Sequence, residues 1–160
     1  MKEDEIRIRT ATVADTSTIL HHRRSMFRDM GEGTTDELDR MAAMTEPWLA
    51  QALSDNSYRG WLAEDNHGRV VGGGGVLLCP WPASPKDPLL RRAIILNVYT
   101  EPPFRHRGIA RRLMKTILEW LKEQAFVSVF LHASDEGRAL YGQLGFKATN
   151  EMRLRFGAGE

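Results

Sequence analysis

Residues 104–114 read FRHRGIARRLM, an aromatic followed by Arg-His-Arg-Gly and then an apolar run. Four of these eleven residues are arginine, so the stretch is either a basic patch for a polyanion or a glycine turn that opens a helix. Its neighbours separate the two. Upstream, Arg92 to Tyr99 carries Ile94, Ile95, Leu96 and Val98, a continuous apolar run of the kind that forms a strand covered on both faces. Downstream, Ala110, Met114, Ile117 and Leu121 recur on one helical stripe. A tight turn between a strand and a helix leaves backbone N–H groups free at the helix start, where the dipole favours an anion. Gly108 adds no Cβ to obstruct a phosphate, and Ala110 is small. Arg105, Arg107, Arg111 and Arg112 are then expected to supply supporting charge.

The whole chain weighs against the polyanion reading. Its 22 basic and 21 acidic side chains leave a net charge of +1, whereas a dedicated nucleic-acid binder carries a basic excess. At 160 residues one domain spanning 1–160 is expected, large enough to bury a real core. Cys79 is the single cysteine, which excludes an intrachain disulfide and suits a reducing compartment. The first ten residues, MKEDEIRIRT, have no apolar core of a signal peptide, and no apolar run reaches membrane-spanning length. A cytoplasmic location without membrane association follows as the expectation. His21 and His22 are adjacent and diverge by about 100° on a helix, so no metal site is expected.

Along the chain, Ile6 to Arg9 alternates as a strand. Thr12 and Asp15 form a capping box that opens a helix ending at Met30–Gly33. A second helix starts near Thr35, with Pro47 predicting a kink or break near Thr45. Tyr58–Glu64 and Arg69–Cys79 read as strands. Gly72 to Gly75 interrupt the latter, marking a bulge or a close approach. Pro80 to Pro88 is a loop containing Trp81. Phe126–His132 is expected as a buried strand, Asp135–Gln143 as a short helix, and Phe146–Phe156 as a last strand with Met152, Leu154 and Phe156 in step. The order β-α-α-β-β-β-α-β-α-β predicts an α/β (α+β) fold: a mixed, mostly antiparallel sheet of six to seven strands with helices on both faces.

Arg105-His106-Arg107-Gly108-Ile109-Ala110 matches Arg-x-x-Gly-x-Ala and resembles the acetyl-CoA signature of the GNAT (Gcn5-related) N-acetyltransferases. Ser134 to Phe146, SDEGRALYGQLGF, resembles a second motif of that family, Asn-x-x-Ala-x-x-Leu-Tyr-x-x-x-Gly-Phe. The two lie in the family's order, and the element order agrees over nearly the whole chain. The resemblance implies an acetyl-CoA-dependent transferase (acyltransferase) acting on a primary amine of a small molecule or peptide, by direct attack in a ternary complex. It implies backbone contacts to the cofactor arm from Val98, Tyr99 and Thr100. Pyrophosphate contacts fall to Arg105, His106, Arg107, Gly108, Ile109 and Ala110, with Arg111 beside them. Tyr141 aligns with a general acid that protonates the departing thiolate, and Ser134 replaces the usual Asn, as a helix cap or a contact to the arm.

An alkylamine with a pKa of ~10.4 is deprotonated only about once in a few thousand molecules at pH 7, so a base or water chain is needed. The family often places Glu on the central strand, whereas this chain has Asn97, which cannot be a base and is assigned to substrate binding or water ordering. His132 is the titratable candidate near the cleft, and Glu101 reads as a turn residue outside it. Phe27, Met30 and Trp81, with Glu32 nearby, are the remaining candidates for acceptor contacts. The missing acid also supports an alternative, a non-catalytic acyl-CoA-binding or sensing domain with the same fold. Family members are often dimers, which makes a homodimer an expectation.

Overall fold

The computed structural model describes residues 5–157. β1 (Arg7–Thr10) leads into a 3-10 turn at Val13–Asp15, then α1 (Thr16–Asp29) and α2 (Thr35–Asp55). β2 (Tyr58–Glu64), β3 (Val70–Pro80) and β4 (Arg91–Thr100) follow as a meander. α3 (Ile109–Glu123), β5 (Phe130–Leu131) and α4 (Arg138–Gln143) complete the fold. The five strands lie side by side in chain order, all antiparallel except β4 against β5.

Helices cover both faces, as the pattern predicts. On one face α3 lays down Ile109, Leu113, Met114, Ile117 and Leu121 against Trp61, Ala63, Val71, Val76 and Ile95. On the other, Ile19 and Leu20 of α1 and Leu49, Ala52 and Leu53 of α2 enclose Tyr58 and Leu62. Full burial of a Leu, Met or Ile side chain is worth roughly 1.5–3 kcal/mol. The α3 stripe, with Leu113, Met114 and Ile117 at 0% exposure, is therefore a principal anchor of the turn that precedes it.

Three expectations need correction. Among the described residues the sheet has five strands, because 147–157 joins no ladder: Met152, Leu154 and Phe156 are 95%, 75% and 92% exposed. Apolar alternation makes a strand only where a partner edge exists, and β5 offers two residues rather than the seven expected of 126–132. α2 runs unbroken through Pro47. Leu38 before it and Leu49, Ala52 and Leu53 after it are all buried, so packing carries the helix across the missing N–H. Finally, the Thr12–Asp15 capping box is present but opens the 3-10 turn, and α1 begins only at Thr16.

The glycine run is resolved as close approach. A Cβ on Gly75 would collide with the phenol of Tyr58, and one on Gly73 would lie 2.9 Å from Leu62 and 3.0 Å from Nδ1 of His22. The bulge is in the facing strand. Gly73 pairs with Tyr99 and Gly75 with Leu96, so β4 spends three residues where β3 spends two. Asn97 sits in that bulge with φ 60°.

Candidate acyl-transfer site

β4 and β5 pair at only two positions, Ile94 with Phe130 and Ile95 with Leu131. Beyond them β4 continues through the bulge to Thr100 while β5 has ended, so the backbone of residues 96–100 has no β5 partner. Along this edge the two strands have parted from their ladder. Val98, Tyr99 and Thr100, expected from the resemblance to line the cofactor arm, lie on it.

The turn at the end of β4 supplies the second feature. Pro102–Phe104 makes a 3-10 turn, and Phe104 is buried beneath it. His106 and Gly108 both take positive φ, 62° and 77°, and bracket Arg107. Arg112 N donates to Gly108 O at 3.1 Å, opening the helical ladder of α3. The N–H groups of Gly108, Ile109, Ala110 and Arg111 precede that bond and have no acceptor within the helix. No heavy atom lies within 4 Å of where a Gly108 Cβ would stand. The space above these donors is open, and the group implied there, a pyrophosphate, suits them in charge and access.

The arginines play a more structural part than free screening charge. Arg105 Nε donates to Thr100 O at 2.9 Å, and its Nη2 donates to Asp29 Oδ2 at 2.8 Å. Arg112 Nη2 donates to Ile6 O at 2.7 Å. Arg111 Nη2 donates to Gln143 Oε1, fastening the start of α3 to the end of α4. Arg107 lies over the Phe104 ring at 5.3 Å. These side chains brace the turn, and the open donors are main-chain ones.

Tyr141 is on α4, half-buried, edge-on to Phe146 at 5.9 Å between ring centroids. Burial raises its pKa, which keeps the phenol protonated at neutral pH. Ser134 Oγ accepts from Gly137 N at 3.1 Å, so it caps the turn that enters α4. His132 follows β5 directly and pairs with Glu151, Nε2 to Oε1 at 2.6 Å.

α1 crosses the bulged end of β4 and brings polar groups to it. His21 Nε2 meets Glu101 Oε1 at 2.8 Å, so Glu101 is more than a turn residue. His22 is 1% exposed, its ring 5.4 Å from that of Tyr99, and burial depresses its pKa to about 4. Arg23 Nη1 donates to Asn97 Oδ1 at 2.9 Å, while Asn97 Nδ2 donates to the Tyr58 hydroxyl at 3.1 Å. Burial of Tyr58 pushes its pKa up to about 12. The Arg23 guanidinium lies 5.0 Å over the Phe27 ring. Asn97 and Phe27 thus share one corner. Met30 caps α1 at 39% exposure, and Glu32 is exposed in the following turn. Trp81 stands elsewhere, stacked 4.8 Å from Arg92, five residues down β4 from Asn97. At about 3.3 Å per residue that separation exceeds any side chain's reach. Sequence reasoning missed Arg23 and Tyr58. The only local sign was Arg23 four residues before Phe27 on one helical face.

A parallel pair that parts beside a glycine turn at a helix start leaves main-chain donors and acceptors open, and comparison with known proteins gives the family. Residues 19–146 match the model of the acetyltransferase (GNAT) family, and the chain belongs to that family. It is 32% identical over 104 residues to human N-acetyltransferase 8, covering 62% of this chain and 43% of that protein's length. It is 29% identical to the uncharacterized N-acetyltransferase YjgM of Escherichia coli (strain K12), over 88% of this chain and 81% of the relative. Among solved structures, a GCN5-related N-acetyltransferase from Ralstonia eutropha JMP134 superposes with a TM-score of 0.89 at 33% identity, covering 95% of this chain and 99% of the other. A predicted acetyltransferase from Clostridium acetobutylicum, solved with acetyl-CoA, gives 0.84 at 26% identity, over 94% and 96% of the two chains.

Proposed function

We propose that the protein transfers an acetyl group from acetyl-CoA to a primary amine of a small molecule or peptide, by direct attack in a ternary complex. The observation that carries this reading is the early end of the β4–β5 ladder at Ile95 and Leu131, on the strand that leads into the open turn at Gly108. The main-chain edge of 98–100 holds the arm, and the amides of 108–111 hold the pyrophosphate. With both fixed, the thioester is presented near the Asn97 bulge.

The amine lone pair attacks the thioester carbonyl carbon, the new C–N bond forms, and the C–S bond breaks. The leaving sulfur takes the proton of the Tyr141 hydroxyl, which solvent later restores. The amine gives up its proton to a base or through water. Asn97, engaged by Arg23 and Tyr58, cannot take it. Among the described residues, His132 with Glu151 and His21 with Glu101 are the carboxylate-backed histidines available for that step. The exposed apolar row Met152, Leu154 and Phe156 supports association with a second copy, which the mass in solution, compared with that of a Phe156→Asp variant, checks.

The test is a melting curve with acetyl-CoA or CoA, followed by CoA release against amino acids, polyamines, aminoglycosides and peptide N-termini. A rise in Tm with turnover of at least one amine class is expected. No rise with either ligand overturns the reading. Binding without turnover of any amine favours the sensing domain.

A further inference from the structure

Arg23 is a charge in search of a partner. Among the described residues its hydrogen bond goes to a neutral amide, Asn97, and no carboxylate lies within ion-pair distance. Its Nε is buried without a hydrogen-bond partner. Desolvation lowers its pKa, whereas Asp29 raises that of Arg105 and Asp15 and Glu64 raise that of Arg9. Arg59 also lacks a carboxylate, but its guanidinium lies against two indoles, 5.4 Å from the Trp61 ring and 5.0 Å from that of Trp120. Arg23 has one aromatic neighbour, Phe27, and stands against the bulge at which the β4–β5 opening begins. A cation removed from water without a counter-charge is costly. Where it borders a slot that receives a second substrate, an anion on that substrate offsets the cost.

We propose that Arg23 anchors a carboxylate carried by the acceptor close to its amine, so that the acceptor is an amino acid or a similar amino-carboxylate. This rests on the acetyl-transfer reading above. The charge count favours a carboxylate over a phosphate. The other arginine near this end of β4, Arg105, is committed to Asp29. One planar guanidinium matches one planar monoanion in a two-pronged contact. Asn97 holds the fork by its Oδ1 and is itself held by Tyr58, so the anchor is oriented before the acceptor arrives.

The experiment compares L-amino acids, their α-carboxamides and an aminoalkyl phosphate as acceptors with saturating acetyl-CoA. Free carboxylates are expected to exceed the matching carboxamides in kcat/KM by about thirtyfold or more. Arg23→Gln is expected to bring that ratio close to one with the acetyl-CoA KM unchanged, and Arg23→Lys to keep part of it. The acetyl-CoA rise in Tm reports that each variant is folded. N-acetyl amino acids added to the CoA-saturated protein are expected to raise Tm further, and less so in Arg23→Gln. Equal use of acid and carboxamide, a ratio unchanged in Arg23→Gln, preference for the phosphate, or no Tm response to any N-acetyl amino acid overturns the proposal. Failure of acetyl-CoA itself to bind overturns instead the reading on which it rests.

Discussion

Arg105 and Asp29 join across 2.8 Å, tying the start of the glycine turn to the last residue of α1. The second prong of Arg105 reaches Thr100 O, so one side chain spans β4, the turn and the helix. Asp29→Asn removes the charge with little change in shape. Because the pair is about one-third exposed, its worth is modest, within roughly 0–1 kcal/mol. The acetyl-CoA KM is expected to rise about two- to fivefold with kcat nearly unchanged, as steady-state kinetics will show. The hydrogen bond from Arg105 holds the Asp29 carboxyl below its ordinary pKa. The tie is therefore present above the usual carboxylate range and is lost as pH falls through the lowered value.

Gly108 needs its φ of 77° more than it needs room, since a Cβ there meets no protein atom. Gly108→Ala is expected to cost about 1–2 kcal/mol of backbone strain, a fall in Tm of roughly 2–8 °C. Gly108→Glu adds bulk and negative charge above the free amides and is expected to abolish the acetyl-CoA rise in Tm. Calorimetry with and without ligand separates the two effects.

Tyr141→Phe keeps the ring that packs on Phe146 and removes the proton. If the phenol is the acid, kcat falls by about 10²–10⁴ while the acetyl-CoA KM stays within a few fold. An unchanged kcat assigns Tyr141 to packing alone.

His22 is expected to limit acid stability. Folded, it resists protonation down to about pH 4, whereas the unfolded chain protonates it near 6.5. Its folded pKa is depressed, so the unfolded state binds the proton more readily, and stability is lost as pH falls from 6.5 to 4. The loss is on the order of 3 kcal/mol. Denaturant midpoints measured across that window in wild type and His22→Gln are expected to diverge, the variant giving the flatter profile.

Much of this was legible because it is local. The capping box Thr12–Asp15 closes within three residues, and the α3 stripe declares itself by period. The turn at Gly108 was readable for the same reason. What lay hidden is long-range. Asn97 meets Arg23 across 74 positions and Tyr58 across 39, and no pattern in either segment announces the other. The glycine run signalled crowding without naming Tyr58 and His22 as its cause. Phe146–Phe156 shows the converse: its alternation is plain, but a ladder needs a second edge that its own residues do not supply.

The shortness of β5 has a consequence for descent as well as for chemistry. A slot walled by main chain tolerates drift in the residues beside it, because amides and carbonyls are the same whatever side chain they carry. Arg23 and Phe27 project from a different element, α1, and can be exchanged without disturbing that wall. On the proposed reading, donor and acceptor preferences are inherited on separate parts of the chain, and a lineage can change its acceptor while leaving the slot alone.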